Sequence, residues 1–121
     1  MKRLLFLLAL ALTAANASAQ DLYVSTSFHE PATDGLRFIY SEDGIHWDSI
    51  QGTFLKPGLT TVANPEKDRQ GVMRDPSIAV GPDGTCHLVW TSSWRGDPGF
   101  GYASSQDLIH WTEPRFIKVM D

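Results

Sequence analysis

The segment Met73-Arg74-Asp75-Pro76-Ser77 sets a carboxylate between a guanidinium and a proline at the head of a strand-forming run. A carboxylate held by a rigid neighbour can take a proton from water as a general base. Pro76 fixes its own φ and biases Asp75 toward an extended backbone, as suits a residue leading into a strand. The competing role for Asp75 is to cap a turn or pair with Arg74. Further groups with chemical potential lie in two loops. Phe28-His29-Glu30-Pro31 offers an acid and a ring, and Trp94-Arg95-Gly96-Asp97 offers a larger ring beside two charges. Loops at strand ends commonly carry binding groups, so Trp94, Phe28 and Arg74 are the candidate ligand contacts. Glu30 is a loop carboxylate of this kind, whereas Glu113, after Trp111, is expected at a solvated rim. The single cysteine, Cys86, cannot form an internal disulfide and reads as a small strand residue.

A repeat organises these residues. Ser41-Glu42-Asp43-Gly44-Ile45-His46-Trp47 returns 64 positions later as Ser105-Gln106-Asp107-Leu108-Ile109-His110-Trp111, and Gly35 returns as Gly99. Upstream, Leu22 to Phe28 aligns with Leu88 to Trp94 at an offset of 66. Such self-similarity signals stacked supersecondary units, each unable to bury its apolar faces alone. Within the motif, Asp and Ser can accept backbone N–H bonds at a tight turn, and the Trp is expected to bury its ring between units. His46 and His110, being repeat equivalents, are displaced from one another, so they do not form a metal pair, and no metal or other cofactor is expected.

The elements that position these groups are strands. Alternating or short apolar runs at 22–27, 36–41, 77–80, 86–92, 101–105 and 116–119, with weaker extended pieces at 46–50 and at Trp111, are separated by Gly, Pro, Asp and Asn clusters. No window carries a helical apolar period. Gly81-Pro82-Asp83-Gly84 reads as a hairpin turn, with Pro82 presetting φ and Gly84 accepting a positive one. Residues 56–71 form the longest irregular stretch and connect the units. The fold expected is all-β, with antiparallel strands forming about two blades of a β-propeller in an incomplete ring, at about 20–55 and 72–121. Three or four antiparallel strands per unit is blade-like. Two units leave strand edges and apolar faces unpaired, so the chain is expected to be the N-terminal portion of a longer one, its partners including the missing C-terminal blades.

At the N-terminus, Lys2 and Arg3 precede an apolar run from Leu4 to Leu12 and an Ala17-Ser18-Ala19 triplet. This is the pattern of a cleavable secretory signal over residues 1–19, cut after Ala19, and the run is too short to span a bilayer. The expected location is secreted or periplasmic, with no membrane attachment after cleavage. The whole chain has a formal charge of −4, and removing the signal takes away two positive charges. That balance offers no basic surface for nucleic acid or anionic lipid.

Ser105-Gln106-Asp107-Leu108-Ile109-His110-Trp111 resembles the Ser-x-Asp-Leu-x-x-Trp blade ending of the five-bladed propellers of glycoside hydrolase family 43. Met73 to Ile78, running into the Gly81–Gly84 turn and Leu88-Val89-Trp90-Thr91, is similar to that family's Asp-Pro-Ser-Ile segment and the strand after it. The matches cover nearly all of residues 22–121. The resemblance implies a carbohydrate substrate and inverting hydrolysis of an O-glycosidic bond, typically an arabinofuranoside or xyloside. It implies Asp75 as the general base, with the general acid expected in a later blade and Glu30 the local alternative for it, so that this chain alone is expected to be inactive. Two alternatives stand beside it. One is a non-catalytic carbohydrate-binding propeller module. The other is a sialidase-like propeller, whose Asp box has one more residue between Asp and Trp and whose site needs converging arginines.

Overall fold

A computed structural model describes residues 21–58, 71–94 and 96–120. The expected signal segment, Arg95 and most of the connection between units lie outside these residues. Seven strands run in chain order: β1 (Tyr23–Ser27), β2 (Leu36–Ser41), β3 (Asp48–Leu55), β4 (Arg74–Val80), β5 (Cys86–Thr91), β6 (Gly99–Ser105) and β7 (Arg115–Lys118). They form two meandering antiparallel sheets, β1-β2-β3 and β4-β5-β6-β7. The fold class is therefore all-β, with two blade-like sheets, no closed barrel and no helix among the described residues. β3 is longer than its sequence pattern indicated, and β4 begins earlier, at Arg74.

The repeat explains why the sheets look alike. In β2 and β6 the motif serines close the strand at the same place, so Ser41 corresponds to Ser105. Tyr23 stands opposite Ser41 and Cys86 opposite Ser105. That pairing makes β1 correspond to β5 with a slip of three residues from the sequence alignment of 22–28 with 88–94. Pairing with β2 and β6 decides register, and the short Ser/Thr-rich run offers little apolar contrast to resist a slip. Gly35 and Gly99 correspond as expected and share a physical cause. A Cβ at either would overlap the backbone carbonyl of the outer strand, at Leu55 or Ile117 respectively.

With the slip included, each sheet has two chemically distinct faces. Side chains alternate along a strand. One face of the first sheet carries Leu36 and Phe38, joined by Ile50 and Phe54. It packs on the face of the second sheet that carries Leu88, Trp90 and Ala103, with Met73 between them. Leu36, Phe38, Met73, Leu88, Trp90 and Ala103 are all nearly or completely buried. Phe54 meets Phe38 edge-on at 4.9 Å. Polar contacts stitch the same junction: Met73 N donates to Ala32 O at 2.8 Å, and Thr26 Oγ1 donates to Pro76 O. These bonds place the start of β4 beside β1.

The motif turns are pinned as their residue types indicate. Asp43 Oδ1 accepts from the backbone N–H groups of Ile45 and His46, both at 2.8 Å, while Ser41 Oγ accepts from Gly44 N at 2.8 Å. Asp107 and Ser105 repeat the pattern on Ile109, His110 and Leu108. The Trp contribution differs between copies. Trp111 packs against the core and donates from Nε1 to Leu108 O at 3.1 Å, whereas Trp47 is 42% exposed. The expectation that both rings are buried is corrected for Trp47: the Asp–Ser bonds already hold that turn without it.

Candidate functional site

β4 contains a bulge at the residues of greatest chemical interest. Arg74 pairs with Thr91 and Ser77 with Val89, so β4 spends one residue more than β5 over the same interval. Asp75 and Pro76 occupy the interruption, where the missing proline N–H costs the ladder nothing. Asp75 is not extended, as Pro76 alone would suggest, but has φ 47°. A non-glycine residue in that region is strained by about 1–3 kcal/mol and is held by its surroundings. Here the holding bonds are those on either side, from Met73 N to Ala32 O and from Thr26 to Pro76 O.

Asp75 lines a cleft of about 350 Å³ at the end of the second sheet's open face. Val89, Thr91 and Phe100 form its sheet wall, while Ser92, Ser93, Gly96 and Asp97 from the β5–β6 loop form the other. Ser92 Oγ donates to Asp97 Oδ2 at 2.7 Å, which fixes that loop carboxylate. The cleft thus combines two carboxylates, the three hydroxyls of Thr91, Ser92 and Ser93, and the half-buried ring of Phe100, a set suited to a polyhydroxylated ligand with one apolar face.

Arg74 and Trp94 flank this cleft without lining it. The Arg74 guanidinium lies 4.3 Å from the Trp94 ring centroid, and its Nη2 is 3.4 Å from Glu30 Oε1. Glu30 is therefore an ion-pair partner across the junction between sheets. Phe28 lies in the β1–β2 loop and is not among the cleft's lining residues. Glu113 is exposed in the loop before β7. Asp97, which the sequence offers beside Trp94 as a contact for ligand hydroxyls, lines the cleft, whereas Phe100 is a lining residue that the sequence reading does not single out. Its signal was its place one residue after Gly99, equivalent to Leu36 after Gly35.

Other charged groups are engaged separately. Arg37 bonds Asp34, and Arg115 lies over the Tyr102 ring at 5.1 Å. The carboxyls of Asp43 and Asp107 are held well below the ordinary carboxylate range. The leading cause is the ring nitrogen of His46 or His110, 2.6 and 2.7 Å away, followed by backbone N–H donors. Both turns are exposed and lie at separate places, one per sheet. Among the described residues, no group of three or more His, Cys, Asp or Glu side chains could hold a metal ion.

Comparison with protein-family models, with curated proteins and with solved structures gives no match.

Proposed function

We propose that the chain is the N-terminal part of a secreted glycoside hydrolase of the family 43 kind, with Asp75 as general base. The observation that carries this reading is that Asp75, at the left-handed bulge of β4, is a lining residue of a cleft shared with Asp97, Ser92 and Phe100. An inverting mechanism needs an acid and a base roughly 6.5–9.5 Å apart, with water between base and sugar. In this reading Asp75 activates the water, the Ser92–Asp97 pair and Ser93 meet sugar hydroxyls, and Phe100 packs on the apolar face of the ring.

Among the described residues the cleft's lining includes no glutamate, and in this reading the acid comes from a further unit. The open face of the second sheet supports this. Phe100 and Tyr102 stand at the positions of Leu36 and Phe38, which in the first sheet are buried against its neighbour, whereas both are only half-buried in the second. Here Val89 is 37% exposed. A unit docked there would wall the cleft from its unlined side. Alone, the chain binds glycan and does not turn it over.

The test is a titration of the chain with arabino- and xylo-oligosaccharides followed by NMR. Millimolar binding, of order 4 kcal/mol, is expected to perturb residues 89–93 and 96–100, and Asp75→Ala is expected to weaken it. Perturbations confined to other surfaces overturn the reading. A non-catalytic carbohydrate-binding module is the second reading, favoured by the engagement of Glu30 with Arg74. The two separate when an acid-bearing unit is supplied: the hydrolase reading requires glycoside turnover that Asp75→Asn abolishes, and the binding reading requires none.

A further inference from the structure

We infer that Glu30, carried by the first sheet, is a positioning residue for the cleft of the second, acting through Arg74 on the ring of Trp94. This rests on the carbohydrate reading of the cleft. Trp94 lies in the β5–β6 loop, between Ser93 and Gly96, which both line the cleft. It is 46% exposed, so packing alone does not fix its ring. What lies on one face of that ring is the Arg74 guanidinium, 4.3 Å from its centroid. Arg74 is in turn met by Glu30 at 3.4 Å. A planar guanidinium can stack on an indole and receive a carboxylate at its edge together, which an ammonium cannot do with the same geometry.

Arg74 holds this place at a cost. Its Nε is buried and has no hydrogen-bond partner among the described residues, and an orphaned buried donor is unfavourable. A side chain present only to cover the junction would not need that donor, so the placement is explained by what the outer guanidinium atoms touch. Arg74 also immediately precedes the strained Asp75. Glu30, Arg74 and Trp94 therefore form a line from the β1–β2 loop of one sheet to the cleft loop of the other. With one face of the Trp94 ring taken by Arg74, the opposite face is the one left for a ligand.

The Trp94 indole N–H resonance, assigned by its loss in Trp94→Phe, reports the ring without any ligand. Glu30→Gln and Arg74→Lys are each expected to shift that resonance. Each is also expected to weaken binding of a xylo- or arabino-oligosaccharide by about threefold or more, a size set by a partly exposed ion pair and cation–π contact. Thr26→Val serves as control, because it removes another bond across the junction, one whose two partners do not include Trp94. An unmoved resonance in Glu30→Gln overturns the inference, as does an equal shift in Thr26→Val, which would make Glu30 one generic contact among several. A wild-type chain that binds none of these sugars defeats the carbohydrate reading, and the ligand-free resonance still decides the positioning role.

Discussion

Leu108 adopts the same left-handed backbone as its repeat equivalent Gly44, with φ 64° against 76°. The glycine does so freely, whereas a residue with a Cβ loses roughly 1–2 kcal/mol there. Leu108 is retained because its side chain packs against the buried cluster between the sheets. Turn geometry and core packing thus conflict at one residue, and packing wins.

A consequence is an inverted order of substitutions. Leu108→Ala loses the packing and keeps the strain, while Leu108→Gly loses the same packing and relieves the strain. We expect Leu108→Gly to be the more stable of the two by about 1 kcal/mol, measured by urea unfolding. The reverse order would show that the turn backbone relaxes when the leucine goes.

Gly101 is expected to be intolerant of even a methyl group. Its Cβ would overlap the Trp90 indole, and Trp90 is 2% exposed in the middle of the core. Gly101→Ala is expected to destabilise the chain by about 1–3 kcal/mol through overpacking, and to change the near-ultraviolet dichroism of the indole. An unchanged spectrum together with unchanged stability would contradict the overlap.

Acid should weaken the motif turns. The folded-state pKa values of Asp43 and Asp107 lie below the ordinary value, chiefly through the His46 and His110 hydrogen bonds. Their stabilising contribution is therefore fully present above the unfolded value of about 3.9 and is lost as pH falls from there toward the folded values. Stability measured from pH 5 downward should fall more steeply in the wild type than in Asp43→Asn/Asp107→Asn. Parallel curves would remove these pairs from the acid response.

Thr26→Val keeps the side-chain shape and deletes the hydroxyl that reaches Pro76 O. A cost of about 1 kcal/mol is expected, together with altered backbone shifts at Asp75, because that bond holds one end of the bulge. A change in stability without any shift at Asp75 would separate the junction from the site.

The sequence by itself determined the all-β class, the repeat and the chemistry of its turns. These depend on local relations: strand periodicity, Gly81–Gly84 turn residues, and an Asp carboxylate whose backbone N–H donors lie two and three residues away. Tertiary structure decided three other things. It set the register of β1, because a Ser/Thr-rich strand lacks the apolar alternation that would specify pairing and takes its place from β2. It put Asp75 at positive φ, against the local bias imposed by Pro76, because bonds from Ala32 and Thr26, distant in the chain, hold both sides of the bulge. And it gave Glu30 to Arg74 and Phe100 to the cleft, since which side chains meet across two sheets depends on how twisted faces pack, a relation that no local spacing encodes.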